Sequence, residues 1–258
     1  NVRDFEKTAI NLFNSEEFKT NKDFVKILTW TNQDVKYFNK VIRDSIFGEK
    51  AAPLELGDVL MAYNTVGGQN NTAIENSADY EVKSITETSN EYGIEGYSVE
   101  LQLTDDISSS YVFIVKPSQE NYNRFLKIFN EKLAIAKSKK GKAWIDYFSF
   151  KNSNLLLEDL RGSSGGLIVK KDLDYGYAIT IHKSQGSTYT NVMINEDNVD
   201  KNSNNEERNK LKYVALSRPT DKAYVLSQKS LDNKNKSLNL EDQLPTTNEL
   251  PYLPNPCN

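Results

Sequence analysis

Residues 177–189 read YAITIHKSQGSTY and form the most informative stretch of the chain. The apolar start of the stretch predicts a β-strand. The polar residues that follow it are His182, Lys183, Ser184, Gln185, Gly186, Ser187 and Thr188. Open α/β sheets bind ligands at the carboxyl ends of their strands, and this mixture of a cation, hydroxyls, an amide and a glycine suits a phosphodiester. An ordinary polar strand-to-loop turn explains the composition alone equally well.

Residues 212–226, KYVALSRPTDKAYVL, place Arg218 where a predicted helix meets a predicted strand. A guanidinium that leaves a rigid element can reach a phosphate bidentately and neutralise charge during phosphoryl transfer. The alternative role is an ion pair with Asp221 at the helix end. The residue types alone do not choose between the two roles.

Periodicity around these segments predicts alternating strands and helices. Strands are predicted over 24–31, 174–181, 191–195 and 222–227, the last of them buried, and helices over 4–18, 35–46, 119–140 and 205–217. The second helix can be capped by Asn32, Gln33 or Asp34 and should end at Gly48. The last helix can be capped by Asn204 or Asn205. Strands followed directly by helices indicate an α/β fold.

Residues 57–116 have a different character, with short alternating segments separated by polar turns. Strands are predicted over 58–66, 79–86, 97–104 and 110–117. This spacing indicates a small antiparallel barrel or sandwich inserted into the α/β domain. The helix after it ends in the basic run KSKKGK, residues 137–142, interpreted as a solvated helix end favoured by the dipole. The aromatic residues of 144–150 are interpreted as packing.

Composition limits the function. The chain has 258 residues, and 32 Lys and Arg against 36 Asp and Glu give a net charge of −4, so any nucleic-acid site must be a local patch. One His and one Cys make a metal site remote. No apolar stretch is long enough to span a membrane, and we expect a soluble, cytoplasmic protein.

The phosphate-loop pattern G-x-x-x-x-G-K-[ST] is missing from the sequence. Its nearest imitation, GSSGGLIVKK at 162–171, is interpreted as a flexible loop that leads into a strand. The chain also has no acidic pair after an apolar strand of the kind that holds Mg²⁺. By itself, it is therefore not expected to hydrolyse a nucleoside triphosphate.

Together, ITIHKSQGSTY and KYVALSRPTDKAYVL resemble motifs V and VI of superfamily 1 DNA helicases, in the branch represented by RecD and the phage helicase Dda. Residues 27–43, ILTWTNQDVKYFNKVIR, resemble motif IV, and residues 54–66 resemble the start of an inserted SH3-like domain. The resemblance implies an α/β, RecA-like parallel sheet, a P-loop NTPase-like fold without its own P-loop. A small SH3-like antiparallel β-barrel interrupts this sheet.

The implied organisation has five parts. They are an N-terminal helix with the first part of RecA-like domain 2A over 1–56, the barrel 2B over 57–118, a helical and aromatic extension over 119–172, the rest of 2A over 173–230 and a polar tail over 231–258. Residue 1 is Asn rather than Met, so we expect the sequence to be a C-terminal piece of a longer helicase.

The resemblance also implies roles for individual residues. Arg218 matches the motif VI arginine that reaches the γ-phosphate and is the expected catalytic residue. Expected nucleotide-binding residues are Gln185, Gly186, Ser187 and Arg218, and expected single-stranded DNA contacts are Thr31, Asn32, His182, Lys183 and Ser184. Thr188 stands where many relatives have Glu, so a contact with the nucleotide sugar is not carried over.

The implied activity is that of the C-terminal motor half of an ATP-dependent DNA helicase that moves 5′ to 3′. ATP and Mg²⁺ are expected to be held mainly by an N-terminal motor domain absent from this sequence. Single-stranded DNA and that domain are the expected partners. The alternative is a non-catalytic module that binds single strands, or a protein-interaction scaffold, derived from a helicase.

Overall fold

The structure is a computed structural model that describes residues 2–67 and 72–227. Its first elements are α1 (Val2–Phe13), α2 (Glu16–Thr20), β1 (Val25–Thr29) and α3 (Asn32–Phe47). The single helix predicted over 4–18 is wrong, because the Ser15 hydroxyl accepts a hydrogen bond from the Phe18 amide and starts a second helix. The cap of α3 is Thr31, rather than one of the three residues after it, and the helix ends at Gly48 as predicted.

The inserted segment is built from antiparallel strands, as predicted. They are β2 (Val59–Ala62), β3 (Val66–Gly67), β4 (Thr72–Ile74), β5 (Asp79–Ser89), β6 (Glu95–Leu103) and β7 (Ser109–Val115). The elements that follow are α4 (Gln119–Lys139), α5 (Lys142–Asn152), β8 (Leu160–Arg161), β9 (Leu167–Val169) and β10 (Leu173–Tyr175). Helix α5 was not predicted, and the expected flexible loop over 162–171 is largely the turn and second strand of the β8–β9 hairpin.

The insert sheet has the strand order β10-β2-β5-β6-β7, and its two edge strands are not paired with each other in the described part of the chain. A short segment hydrogen-bonds to both edges. The Leu155 amide donates to the Phe113 carbonyl of β7, and the Leu156 carbonyl accepts from the Asp172 and Leu173 amides at β10. The sequence predicted a closed barrel, but within residues 2–67 and 72–227 the strand pairing does not continue around the insert.

The last elements build the parallel sheet that the sequence predicts. They are β11 (Ala178–Thr180), β12 (Tyr189–Asn195), α6 (Glu196–Val199), α7 (Asn205–Leu216) and β13 (Pro219–Leu226). The order is β11-β1-β12-β13, with every neighbouring pair parallel. Asn204 caps α7, as expected. β13 is an edge strand with mostly exposed residues, so the prediction of a buried final strand is wrong.

The strand predicted over 174–181 is two strands in different sheets, β10 in the insert and β11 in the parallel sheet. Gly176 lies at the bend between them. A Cβ there would lie 2.9 Å from Asp79 Oδ1 and 3.2 Å from the Met61 amide nitrogen. Glycine therefore allows the chain to pass from one sheet to the other in close contact with the insert.

Apolar side chains cover both faces of the parallel sheet. Helices α1 and α3 pack Phe5, Phe13 and Phe38 on one face. The other face packs against Val199 of α6 and Leu211 of α7. None of the helices in the described ranges has both the length and the apolar character needed to cross a membrane. The predicted polar tail, 231–258, lies outside the described residues.

Candidate nucleotide and nucleic-acid site

The turns of motifs IV and V emerge at one edge of the parallel sheet. β1 and β11 are parallel neighbours, and Thr29 lies opposite Thr180 in their register. Residues that directly follow these two strands must lie at the same edge. This places Thr31 and His182 on one side of the molecule, as their positions after two neighbouring strands require.

The motif IV turn is held from below by Asn198, a buried residue that sequence analysis did not single out. Its Oδ1 accepts hydrogen bonds from the Trp30 amide at 2.8 Å and the Thr31 amide at 3.0 Å. The Thr31 hydroxyl accepts from the Asp34 amide and caps α3, while Asn32 is exposed beside it. The turn is therefore fixed by the protein and presents Asn32 to solvent.

The motif V turn buries Ser184 completely, and the Ser184 hydroxyl donates to the Ile181 carbonyl at 2.8 Å. The expected DNA contact of this side chain is therefore corrected to a role in shaping the turn. Gly186 has φ +91°, a left-handed conformation that favours glycine, and it lets the chain reverse toward β12. Gln185 beside it is exposed.

Lys183 extends away from the expected DNA edge and binds the insert. Its Nζ donates to Asn76 Oδ1 at 2.7 Å, Ser77 Oγ at 3.2 Å and the Ala62 carbonyl at 3.3 Å. An ammonium has three N–H donors, so these acceptors use all of them. Burial, together with the nearby charge of Lys170, lowers the pKa of Lys183. The structure therefore assigns Lys183 to a link between motif V and the insert, in place of the expected DNA contact.

His182 keeps an exposed side chain at this edge. Its Nε2 lies 3.8 Å from Oε1 of Glu207 in the first turn of α7, and the side chain of Glu207 is partly exposed. Of the expected DNA contacts, Asn32 and His182 are thus the two side chains that the structure leaves open to a ligand.

Arg218 lies near the opposite ends of the strands, because it precedes β13 just as Ser187 precedes β12. Its Nε donates to the Val214 carbonyl at 3.0 Å, its Nη1 to the Ser187 carbonyl at 3.1 Å and its Nη2 to Ser217 Oγ at 2.8 Å. The bond to Ser187 joins motif VI directly to motif V, and the other two hold the guanidinium against its own segment. A guanidinium has five N–H groups, so one on each Nη stays available for a further acceptor.

No carboxylate lies within ion-pair distance of Arg218 among residues 2–67 and 72–227. The alternative partner, Asp221, lies 3.8 Å from Nζ of Lys222 instead. Of the two roles expected for Arg218, the structure does not form the ion pair with Asp221. The phosphate contact stays a prediction.

A buried ion pair supports the start of β12 from beneath. Lys26 on β1 and Asp79 on β5 are both buried, with Nζ 2.9 Å from Oδ2. The Lys26 ammonium also lies 5.1 Å from the ring centroid of Tyr189, the first residue of β12. Burial raises the pKa of Asp79, and Lys26 opposes this effect. A lysine inside the apolar stretch FVKILT was the sequence signal for this pair.

A cleft of about 690 Å³ adjoins the motif IV turn, between α3 and the segment that leads to β10. Asn32, Lys36, Arg161 and Lys171 are among its lining residues. No group of three or more His, Cys, Asp or Glu side chains in the described ranges is arranged to hold a metal ion. The cleft opens at the same edge as Asn32.

Comparison with known proteins supports the helicase resemblance around this site. Residues 175–226 match the family model described as UvrD-like helicase C-terminal domain. An uncharacterized protein of Acanthamoeba polyphaga mimivirus is 25% identical over 235 residues, which are 78% of this chain and 47% of that protein. An uncharacterized protein of Methanocaldococcus jannaschii is 36% identical over 64 residues, which are 25% of this chain and 5% of that protein.

Solved structures similar to the chain include Pif1 helicases. The Pif1 helicase from Candida albicans has 17% identity and a TM-score of 0.43, covering 93% of this chain and 53% of that chain. The Pif1 helicase from Bacteroides in complex with ADP-AlF3 and ssDNA has 12% identity and a TM-score of 0.42, covering 93% and 51%. The chain spans about half the length of these structures and less than half of either curated relative. Over residues 175–226, which include the motif V turn and Arg218, the chain is similar to the C-terminal domain of UvrD-like helicases.

Proposed function

We propose that the chain is the C-terminal motor half of an ATP-dependent DNA helicase. In this proposal the parallel sheet is RecA-like domain 2A, and the insert is an SH3-like domain 2B whose two edge strands are bridged by the Leu155–Leu156 segment. The RecD and Dda branch, and movement from 5′ to 3′, are carried by the resemblance of the motifs. The match over residues 175–226 supports the helicase origin of this segment.

The observation that carries the proposal is that the Arg218 guanidinium is fixed in place without a carboxylate partner among the described residues. Backbone carbonyls and one hydroxyl fix its position, yet these partners leave its positive charge without a neutralising carboxylate. A fixed cation with one available N–H on each Nη suits two phosphoryl oxygens. Such an arginine stabilises the charge that spreads over the transferred phosphoryl group, the role of an arginine finger.

The surface around Arg218 is suited to a partner domain. Tyr213 is 75% exposed and Leu216 is 56% exposed, one and a half turns and half a turn before Arg218. Exposed apolar side chains at the end of α7, the helix that leads into Arg218, fit a surface that packs against another domain. We assign that place to an N-terminal motor domain that supplies the phosphate loop and the acidic residues for Mg²⁺, with Gln185 and Gly186 near the nucleotide.

The proposed DNA contacts lie at the other edge. Asn32 and His182 face solvent there, while Thr31, Lys183 and Ser184 hold the two turns in place. Contacts of this kind address the sugar-phosphate chain rather than base edges, so binding should depend little on sequence. ATP hydrolysis between the motor domains would move the DNA-binding site of this chain relative to that of the N-terminal motor domain.

Substitution of Arg218 tests the proposal in the complete helicase that it requires. Arg218→Ala should lower kcat for DNA-stimulated ATP hydrolysis by about 10³-fold or more while leaving DNA binding intact. Arg218→Lys should be nearly as impaired, since an ammonium lacks the planar fork. Lys222→Ala, which removes an exposed cation four residues away, is the matched control and should retain activity.

The isolated 258-residue chain should show no DNA-stimulated ATPase, because its sequence has no phosphate loop. Turnover by the purified chain, or normal ATPase in Arg218→Ala, would contradict the proposal. Normal ATPase in the variant would leave Arg218 with the structural role that its hydrogen bonds to Ser187 and Val214 already give it.

A further inference from the structure

The tip of the α4–α5 hairpin carries a concentration of positive charge. Its lysines are Lys137, Lys139, Lys140 and Lys142. All four are exposed, and none of them forms an ion pair with a carboxylate in the described part of the chain. In a protein with a net charge of −4, such a run is a local field that attracts an anion.

The helix dipole explains only half of this run. Lys137 and Lys139 lie in the last turn of α4, where cations are favourable. Lys142, however, is the first residue of α5, where the dipole disfavours a cation. That first turn has no acidic residue, and Gly141 provides no side-chain cap. Helix stability therefore explains Lys137 and Lys139 but gives no reason for Lys142.

Aromatic rings lie directly beside these lysines on α5. Trp144 and Phe148 are stacked, with centroids 5.8 Å apart and planes at 29°. Phe148 is 52% exposed, whereas Phe150 on the same helix is buried. Packing therefore accounts for Phe150 but leaves part of the outer pair uncovered.

The outer rings are fixed from below. Tyr147 contacts Trp144 at 5.6 Å and Phe148 at 5.0 Å, edge to face, and also contacts Phe129 of α4 at 5.3 Å. Phe129 is buried in a core that the hairpin shares with residues of the insert such as Ile94 and Val115. A chain of ring contacts thus connects the surface pair to the core and holds it in one orientation, which lowers the entropy cost of stacking a ligand on it.

We propose that the hairpin tip is a second contact for single-stranded nucleic acid, with the lysines on phosphates and a base stacked on the Trp144–Phe148 pair. A positively charged surface combined with stacking rings binds single strands without sequence preference. Asp146 is the one acidic residue of α5 and is exposed near the rings, but four cations outweigh it. This inference rests on the proposed function, because it adds a contact for the same ligand.

The tip is far along the chain from motifs IV and V and sits on a helix pair that packs with the insert. A strand bound at both places would be held by the parallel sheet and by the insert unit together. We commit to single-stranded DNA as the ligand, because the exposed rings add a partner for its bases to the lysines that would bind its phosphates. An acidic membrane or an acidic protein would bind the lysines alone, and the experiment tests both.

Trp144 allows a local measurement. The chain has two tryptophans, so Trp30→Phe leaves Trp144 as the sole tryptophan reporter. We would titrate this 258-residue variant with an oligothymidylate of about 16 nucleotides, and follow tryptophan fluorescence and the anisotropy of a labelled strand in parallel. An abasic strand, phosphatidylserine vesicles and polyglutamate are the comparison probes.

We expect oligothymidylate to quench Trp144 and the abasic strand to quench it far less. Phe148→Ala should weaken binding at least about 5-fold, the low end for loss of one stacked base. Lys139→Gln with Lys142→Gln should lower the log-log salt slope by about 1.4, twice the 0.7 of one phosphate contact. Lys7→Gln with Lys50→Gln removes the same charge elsewhere and should leave affinity and slope nearly unchanged.

Three results would overturn the inference. Strand binding by anisotropy with no change in Trp144 fluorescence or in the lysine variant would remove the tip while leaving the proposed function intact. A stronger response to vesicles or polyglutamate than to oligothymidylate would assign the tip to a membrane or an acidic protein. No strand binding by either readout would reject both the tip contact and the proposed DNA binding of this half.

Discussion

Replacement of Arg43 by methionine should strongly destabilise the fold. Arg43 on α3 forms a buried fork with Asp58, with Nε 3.0 Å from Oδ1 and Nη2 2.9 Å from Oδ2. The Asp58 side chain is fully buried, and the Arg43 guanidinium also lies 4.6 Å from the ring centroid of Tyr175. The pair joins the helix of the parallel-sheet unit to the first strand region of the insert.

The magnitude follows from what Arg43→Met leaves behind. Asp58 would keep hydrogen bonds from the Glu55 amide at 2.8 Å and the Tyr177 hydroxyl at 2.7 Å. Burial beside Asp58 raises the pKa of Tyr177 well above its ordinary value, so this hydroxyl stays a neutral donor. The carboxylate charge would remain buried without a cation. Breaking a buried pair in this way costs about 3–5 kcal/mol, a large share of the usual stability of a domain.

The assay is urea unfolding followed by circular dichroism and tryptophan fluorescence, with coincident transitions as the condition for analysis. Lys40→Met is the matched control, because Lys40 lies on the same helix and pairs with Asp44 at the surface. Its loss should cost no more than about 1 kcal/mol. The double variant Arg43→Met with Asp58→Asn removes both charges and should recover much of the loss.

The reasoning is refuted if Arg43→Met costs no more than Lys40→Met. It is also refuted if the double variant is as unstable as the sum of the single ones, since the cost would then come from lost packing rather than from an unpaired charge.

Two further predictions concern the junction between the sheets. Lys183→Ala should speed hydrogen exchange at the 76–77 turn, yet change the salt slope of single-strand binding by much less than about 0.7, the value for one phosphate contact, since its donors are used within the protein. A loss of about 0.7 would instead show that Lys183 contacts a DNA phosphate. Gly176→Ala should lower the free energy of unfolding by about 1–3 kcal/mol, because the added Cβ would overpack against Asp79 and Met61. Thermal unfolding would compare it with Gly166→Ala, where a Cβ meets only ordinary contacts, and equal stability of the two variants would contradict the close approach at Gly176.

The sequence by itself determined the elements whose cause is local. Helix α3 has apolar residues at Val35, Phe38 and Ile42 and a glycine at its end, so its position follows from periodicity and chain reversal. Strands β1 and β12 and the segments around Ser187 and Arg218 were likewise predicted from the sequence, because their patterns are short and contiguous. The cap of the last helix at Asn204 belongs to the same class.

Tertiary structure alone decided which groups the charged side chains of Lys183 and Arg43 bind. Lys183 binds Asn76 more than 100 residues away, and Arg43 finds its carboxylate only because the chain folds Asp58 beneath it. No local pattern encodes these partners, since desolvation and distance in space select them. For the same reason, the stretch predicted as one strand divides at Gly176: its periodicity is continuous along the chain, but the two sheets that compete for its backbone hydrogen bonds exist only in the folded protein.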